Sequence, residues 1–136
     1  MRVNKRHGKK ERKENIELAK YLAEKYSFEI DLLATDNRKK TADSLNKTLG
    51  IEQEYKHNKK PTTSAIDNEL REGKNQADHI VLSINSKIKT GDLIKAMKSR
   101  VNRSENIKSV WIKIGKFDRQ YTRTEILMPG FKIQRD

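Results

Sequence analysis

Cysteine is absent from this chain of 136 residues, so neither a disulfide framework nor a cysteine zinc site is open to it. Its three histidines, His7, His57 and His79, stand too far apart for the close spacing of a zinc motif. Aromatic residues are 6% of the chain, and Tyr55, Trp111 and Tyr121 form no stacking platform of the kind an RNA-recognition sheet presents. The six glycines never cluster into a phosphate-cradling loop. No apolar run approaches the ~18–20 residues of a membrane span, and the first residues lack the apolar stretch of a secretory signal, so no membrane span is expected. Acidic side chains are also in deficit. Against 31 Lys and Arg there are 19 Asp and Glu, a formal charge of +12, which favours a polyanionic partner held by phosphate contacts and counterion release. Hydrophobic residues at 33% against charged residues at 37% leave material for one modest core in one domain.

Half of the net charge lies in residues 1–13, where Arg2, Lys5, Arg6, Lys9, Lys10, Arg12 and Lys13 face only Glu11. This stretch reads as a flexible basic arm, followed by a single domain over 14–136. From Glu14 to Tyr26, residues Leu18, Ala19, Leu22, Ala23 and Tyr26 share one stripe of an amphipathic helix. Phe28, Ile30 and Leu32 alternate with polar residues as a strand does, and a polar turn follows at Thr35, Asp36 and Asn37. A weak strand over Thr41–Leu45 precedes a stronger one over Ile51–His57. After Pro61, Thr63 or Ser64 is placed to cap a helix running to Ala77, within which Gly73 implies a close approach to the sheet. His79–Ile84 is an apolar run of strand length, typical of a strand covered on both faces. A helix from Thr90 to Val101, strands over Ile107–Ile114 and Phe117–Thr122, and a short strand over Phe131–Ile133 complete the order. The fold class is α/β (α+β), a mixed sheet flanked by helices.

Chemistry concentrates at Glu54-Tyr55-Lys56, ten intervening residues after Asp43. Successive strand side chains point to opposite faces, so Glu54 and Lys56 project together and Tyr55 the other way. With the Asp43 carboxylate folded against them, two oxygen ligands suit a hard divalent cation such as Mg²⁺, which keeps several waters and binds phosphate directly. Lys56 would then steady negative charge at the reacting phosphate. Glu11 with Lys13 and Glu72 with Lys74 show the same spacing, but only the triplet at Glu54 falls on a strand with an Asp upstream. The plainer reading is a solvated strand face whose Glu52, Glu54 and Lys56 make cross-strand ion pairs.

The element order, with Asp43 near the second of these strands and Glu54 and Lys56 on the third, resembles the restriction-endonuclease-like core of the PD-(D/E)xK nucleases. The stretch from Glu54 to Leu82, E-Y-K-H-N-K-K-P-T-T-S-A-I-D-N-E-L-R-E-G-K-N-Q-A-D-H-I-V-L, resembles the C-terminal tRNA-nuclease toxin domains of contact-dependent growth inhibition CdiA proteins and related polymorphic toxins. V-x-R-S-x-N-I-x-S-V-x-I from Val101 to Ile112 and Y-T-R at Tyr121–Arg123 extend the likeness, which covers roughly Glu14 to Phe131. Ala42 stands where the family has the proline of its P-D pair. The resemblance implies Asp43 and Glu54 as metal carboxylates, Lys56 as the catalytic lysine, and Glu17 as a further ligand through water. It also implies Thr62, Ser64 and Asn68 at the substrate edge of the following helix, with Arg71, Lys74 and Gln76 near phosphate. A capping Ser64 and solvent-facing Lys74 and Gln76 are the structural alternatives. Basic surfaces from Arg38 to Lys60 and from Lys98 to Arg123 would hold the nucleic-acid backbone.

The activity so implied is Mg²⁺-dependent hydrolysis of RNA, tRNA ahead of DNA, in the cytoplasm of a target cell. The domain would form part of a larger exported protein, and an acidic immunity protein would be its partner. Two rivals stand beside it. One is a metal-independent ribonuclease using His57 or His79 as acid or base, with Lys56, Arg71 or Tyr121 at the phosphate. The other is a DNA nuclease or a binding module without catalysis, for which positive charge is enough.

Overall fold

The computed structural model describes residues 1–8, 10–36 and 41–134. Its eleven elements are β1 (Arg2–Val3), α1 (Arg12–Tyr26), β2 (Ile30–Leu32), β3 (Ser44–Asn46), β4 (Ile51–Asn58), α2 (Thr63–Gly73), β5 (His79–Ile84), α3 (Thr90–Arg103), β6 (Ser109–Ile114), β7 (Phe117–Thr122) and α4 (Arg123–Leu127). The strands form one mixed sheet in the order β1-β2-β3-β4-β5-β6-β7. Strands β2, β3 and β4 are an antiparallel meander, β4, β5 and β6 run parallel, and β7 returns antiparallel.

Register fixes which side chain meets which layer. Glu54, Lys56 and Asn58 pair with Ile80, Leu82 and Ile84, while Tyr55 and His57 pair with Val81 and Ser83. Ile80, Leu82, Ile84, Val110 and Ile112 pack with Ile66 and Leu70 of α2 and with Leu93, Met97 and Val101 of α3. On the opposite face Tyr55, Val81 and Trp111 pack under Leu18, Ala19 and Leu22 of α1. Fully burying a side chain such as Leu22 or Leu82 contributes about 1.5–3 kcal/mol. The alternation of β4 therefore sends Glu54 and Lys56 toward α2, and Tyr55 and His57 toward α1.

The two parallel crossovers set the end of α2. Gly73 lies against the sheet, where an added Cβ would stand 3.2 Å from Ile80 Cδ1, so the close approach expected there is present. The cap, however, is Thr62, whose hydroxyl accepts from the Ala65 N–H at 3.1 Å, rather than Thr63 or Ser64.

Three expectations change. Residues 1–8 and 10–13 are not a loose arm: Arg2 and Val3 pair with Asp31 and Leu32, the Arg12 guanidinium donates to the carbonyls of Asn4 and His7, and His7 is 2% exposed. Backbone pairing along the free edge of β2 outweighs the mutual repulsion of the basic side chains. Phe131–Ile133 adds no strand; Phe131 instead stacks edge-on against Tyr121. A short helix, α4, closes the chain behind a capping box, with Thr122 accepting from the Glu125 N–H and Glu125 from the Thr122 N–H. Asn37, Arg38, Lys39 and Lys40, the last three assigned to a phosphate-holding surface, lie outside the described residues.

Candidate active site

Strand β4 is paired along most of one edge and over less than half of the other. Parallel pairing with β5 covers Gln53 to Asn58, but β3 covers only Ile51 to Gln53. β3 is short because a tight turn starts at Asn46: its carbonyl accepts from the Gly50 N–H at 2.8 Å, its side chain accepts from the Leu49 N–H at 3.0 Å, and Gly50 takes a φ of 70°. Upstream of Ser44 the chain turns toward β2, where the Asp43 carbonyl accepts from the Leu33 N–H at 2.8 Å. The Asp43 side chain fills the gap so left. Its Oδ2 accepts from the Tyr55 N–H at 2.9 Å, and its own N–H donates to Glu54 Oε1 at 3.2 Å.

Two carboxyl groups thus meet at the point where the ladder opens. Glu54 is 5% exposed, and burial, the Asp43 charge and a hydrogen bond with the Asp43 carboxyl raise its pKa to about 9. Lys56 works against this, with Nζ 3.7 Å from Glu54 Oε2 and 3.8 Å from Glu72 Oε2. One ammonium at that range would favour the ionised form, but desolvation and the second carboxylate outweigh it. Beyond Lys56, Asn58 donates to Glu69 Oε1 at 3.1 Å, and burial raises the Glu69 carboxyl above its ordinary range.

Asp43 and Lys56 are each brought to Glu54, and the register sets Glu54 and Lys56 on the α2 side of β4. Glu17 is not brought there. It lines a cavity on the α1 side with Tyr21, His57 and Lys113, because residues 55 and 57 rather than 54 and 56 face that helix. Among the described residues no group of three or more His, Cys, Asp and Glu is arranged to hold a metal ion. The donors that suit a divalent cation are two, the carboxyls of Asp43 and Glu54. They fit one in charge: two acids share one proton where a dication would neutralise both, and Mg²⁺ binds through only one or two protein carboxylates.

The residues assigned to substrate are dispersed. Thr62 caps α2. Ser64 and Asn68 line a groove between α2 and α3, and the Arg71 guanidinium donates to Asn68 at 2.9 Å. Lys74 caps the far end of α2, where its carbonyl accepts from Asn106, and Gln76 lines a cleft beside Gly50 and His79. The stripe of α2 that reaches β4 carries Glu69, bound by Asn58, and Glu72, 3.8 Å from Lys56, two residues three apart as one helical stripe requires. Several cations of the Lys98–Arg123 region are held by their own chain. Arg100 and Arg103 grip Asp67, Lys98 donates to the carbonyls of Ile126 and Met128, and Arg123 donates to those of Ser104 and Ile107.

The groups of the metal-independent rival are also apart. His79 Nδ1 bonds the Ser109 hydroxyl at 2.7 Å, and Tyr121 is buried in the core with α3. His57 is bound to Asn15 on α1, and burial lowers its pKa.

No family model, curated protein or solved structure matches this chain. Fold and site together define an α/β protein with a mixed seven-stranded sheet and a carboxyl pair at the half-open edge of its fourth strand.

Proposed function

We propose that this chain is a divalent-metal-dependent nuclease of the restriction-endonuclease-like class, cutting RNA, with tRNA as the preferred substrate. The observation that carries the reading is the meeting of Asp43, Glu54 and Lys56 where β3 leaves β4. Asp43 and Glu54 would hold the cation, which supplies Lewis-acid stabilisation of charge at a phosphodiester. Until it binds, the pair keeps a proton, so loading releases one. Lys56, half-buried and balanced between Glu54 and Glu72, offers an ammonium that needs no rearrangement to oppose growing negative charge on phosphate. The +12 charge supplies sequence-independent attraction to the substrate backbone.

The preference for RNA and tRNA, action in the cytoplasm of a target cell, delivery within a larger exported protein and neutralisation by an acidic immunity protein all rest on the resemblance of Glu54–Leu82 to CdiA toxin domains. Incubation with total tRNA, ribosomal RNA and plasmid DNA, with Mg²⁺ or EDTA, tests the reading beside folded Glu54→Ala and Lys56→Ala variants. Discrete tRNA cleavage lost in EDTA and in both variants is the expected result. Cleavage that survives all three changes would transfer the activity to histidine chemistry.

A further inference from the structure

His57 sits on the opposite face of β4 from the carboxyl pair and is tied to a buried chain that the proposed chemistry does not use. His7 Nδ1 lies 2.7 Å from the Leu33 carbonyl, Asn15 Nδ2 lies 3.1 Å from His7 Nε2, and Asn15 Oδ1 lies 2.7 Å from His57 Nε2. A carbonyl only accepts, so His7 Nδ1 carries a hydrogen. With the Asn15 amide turned as found, His7 Nε2 accepts, His7 is neutral, and Asn15 Oδ1 is left to accept from His57 Nε2–H. Reversing the Asn15 amide would require a doubly protonated His7, a cation at 2% exposure beside the guanidinium of Arg12 and with no carboxylate partner among the described residues. Glu11 Oε2 lies 3.8 Å from the same His57 Nε2, beyond hydrogen-bond range, which leaves Asn15 Oδ1 as its acceptor. Burial lowers the His57 pKa and so favours the neutral imidazole, in which the nitrogen left without a hydrogen is Nδ1, for which the described residues provide no hydrogen bond.

His57 lines a cavity of about 590 Å³ between α1 and the carboxyl ends of β4, β5 and β6, the end of an open α/β sheet where ligands bind. Around it stand the Tyr21 ring, the Asn85 amide, the carboxyl groups of Glu14 and Glu17 and the ammonium groups of Lys59 and Lys113, with Lys59 paired to Glu14 at 3.3 Å. Two carboxyl groups offset the two lysines, so the lining is not a phosphate cradle, and the bare imidazole nitrogen calls for a hydrogen-bond donor on an uncharged part of the ligand. In a polynucleotide the donors are base amino and imino groups and, in RNA alone, the ribose 2′-hydroxyl.

We propose that the His7–Asn15–His57 chain presents the Nδ1 lone pair of His57 to this cavity to accept a hydrogen bond from a ribose 2′-hydroxyl, so that the site distinguishes RNA from DNA. His57 touches substrate; His7 and Asn15 are positioning residues. The inference deepens the nuclease reading by naming how ribose is selected, but it concerns binding.

The test is therefore made in EDTA at fixed salt, on the full chain. Affinities are measured for a single-stranded RNA, the DNA of the same sequence, and RNAs carrying one 2′-deoxy position walked along the strand. The unaltered protein is expected to prefer RNA by about five- to tenfold, the worth of one hydrogen bond, with a single deoxy position reproducing most of the loss. His57→Phe should bring the preference below about twofold, and Asn15→Leu should reduce it in part. Nitrogen-15 spectra of the unaltered imidazole should show Nε2 protonated and Nδ1 bare. Equal affinity for RNA and DNA, a preference that persists in His57→Phe, or a protonated Nδ1 would each overturn the proposal. The deoxy series and the spectrum need no variant, so a His57→Phe that fails to fold leaves both intact. Failure to cleave with any metal would count against the nuclease reading alone.

Discussion

Asp43 Oδ2 takes the Tyr55 N–H at 2.9 Å, the hydrogen bond that a longer β3 would have made with its backbone. One carboxylate thus completes the sheet and stands in the candidate site, and two substitutions separate these roles. Asp43→Asn keeps an acceptor for Tyr55 and should lose cleavage with little loss of stability. Asp43→Ala leaves that N–H unpaired in a half-buried place and should cost about 1–3 kcal/mol as well. Thermal unfolding beside a cleavage assay checks the pair; equal stability of the two variants would show that Asp43 has no structural share.

Glu54 makes the opposite prediction. Its folded pKa, about 9, lies above the ordinary value of 4.5. The protonated form is therefore favoured by folding: stability is fully present below pH 4.5 and declines as pH rises toward 9. Glu54→Gln, which cannot ionise, should match the parent at pH 4 and exceed it at pH 8 by about 1–2 kcal/mol, while abolishing cleavage. Mg²⁺ should raise the melting temperature of the parent at pH 8 and leave that of Glu54→Gln unmoved. A variant less stable than the parent at pH 8 would mean that the carboxyl is ionised and held by Lys56.

Gly73 and Ile80 test how tightly α2 lies on the sheet. Alanine at an ordinary helical glycine gains about 1 kcal/mol, but here its Cβ would stand 3.2 Å from Ile80 Cδ1 and 3.3 Å from Cγ1. Ile80 is 1% exposed and β-branched, so it cannot swing aside. Gly73→Ala should be destabilising by about 1 kcal/mol, and Ile80→Val, which removes the nearer atom, should narrow the difference between Gly and Ala. Denaturant midpoints of the four proteins measure this coupling, and a stabilising Gly73→Ala would refute it.

How far such contacts could be read in advance depended on their range. Period two placed Glu54 and Lys56 on one face, and the bounds of β5 and β7 followed from an apolar run and a glycine turn, all local signals. Glu17, implied as a ligand by the resemblance alone, lines the cavity on the α1 side, and helical period says which residues share a stripe, not which face of the sheet that stripe covers. Thr122 and Glu125, three residues apart, carry a capping box, a local sign of the start of α4. The His7–Asn15–His57 chain joins residues 8 and 42 positions apart, a distance over which one sequence carries no pairing information.

The longest-range device is Asp118 on β7, which binds α1 across the sheet from 92 to 97 positions away. Its carboxylate accepts from Tyr21, Lys25 and Tyr26 of α1 and from the Trp111 indole. Burial raises the Asp118 pKa, but the donors, Lys25 foremost and Tyr26, Trp111 and Tyr21 after it, more than offset that and hold it below 3.8. Stability from this group is therefore present above pH 3.8 and is lost as pH falls through the lower folded value. Asp118→Ala strands a buried indole N–H and should cost about 3 kcal/mol at pH 7. Asp118→Asn keeps one acceptor, loses the charge that Lys25 meets, and should fall between. In acid the gap between Asp118→Ala and the parent should shrink, because the parent's carboxyl then protonates too. Unfolding curves at pH 7 and pH 3 decide it, and a gap independent of pH would assign the effect to packing alone.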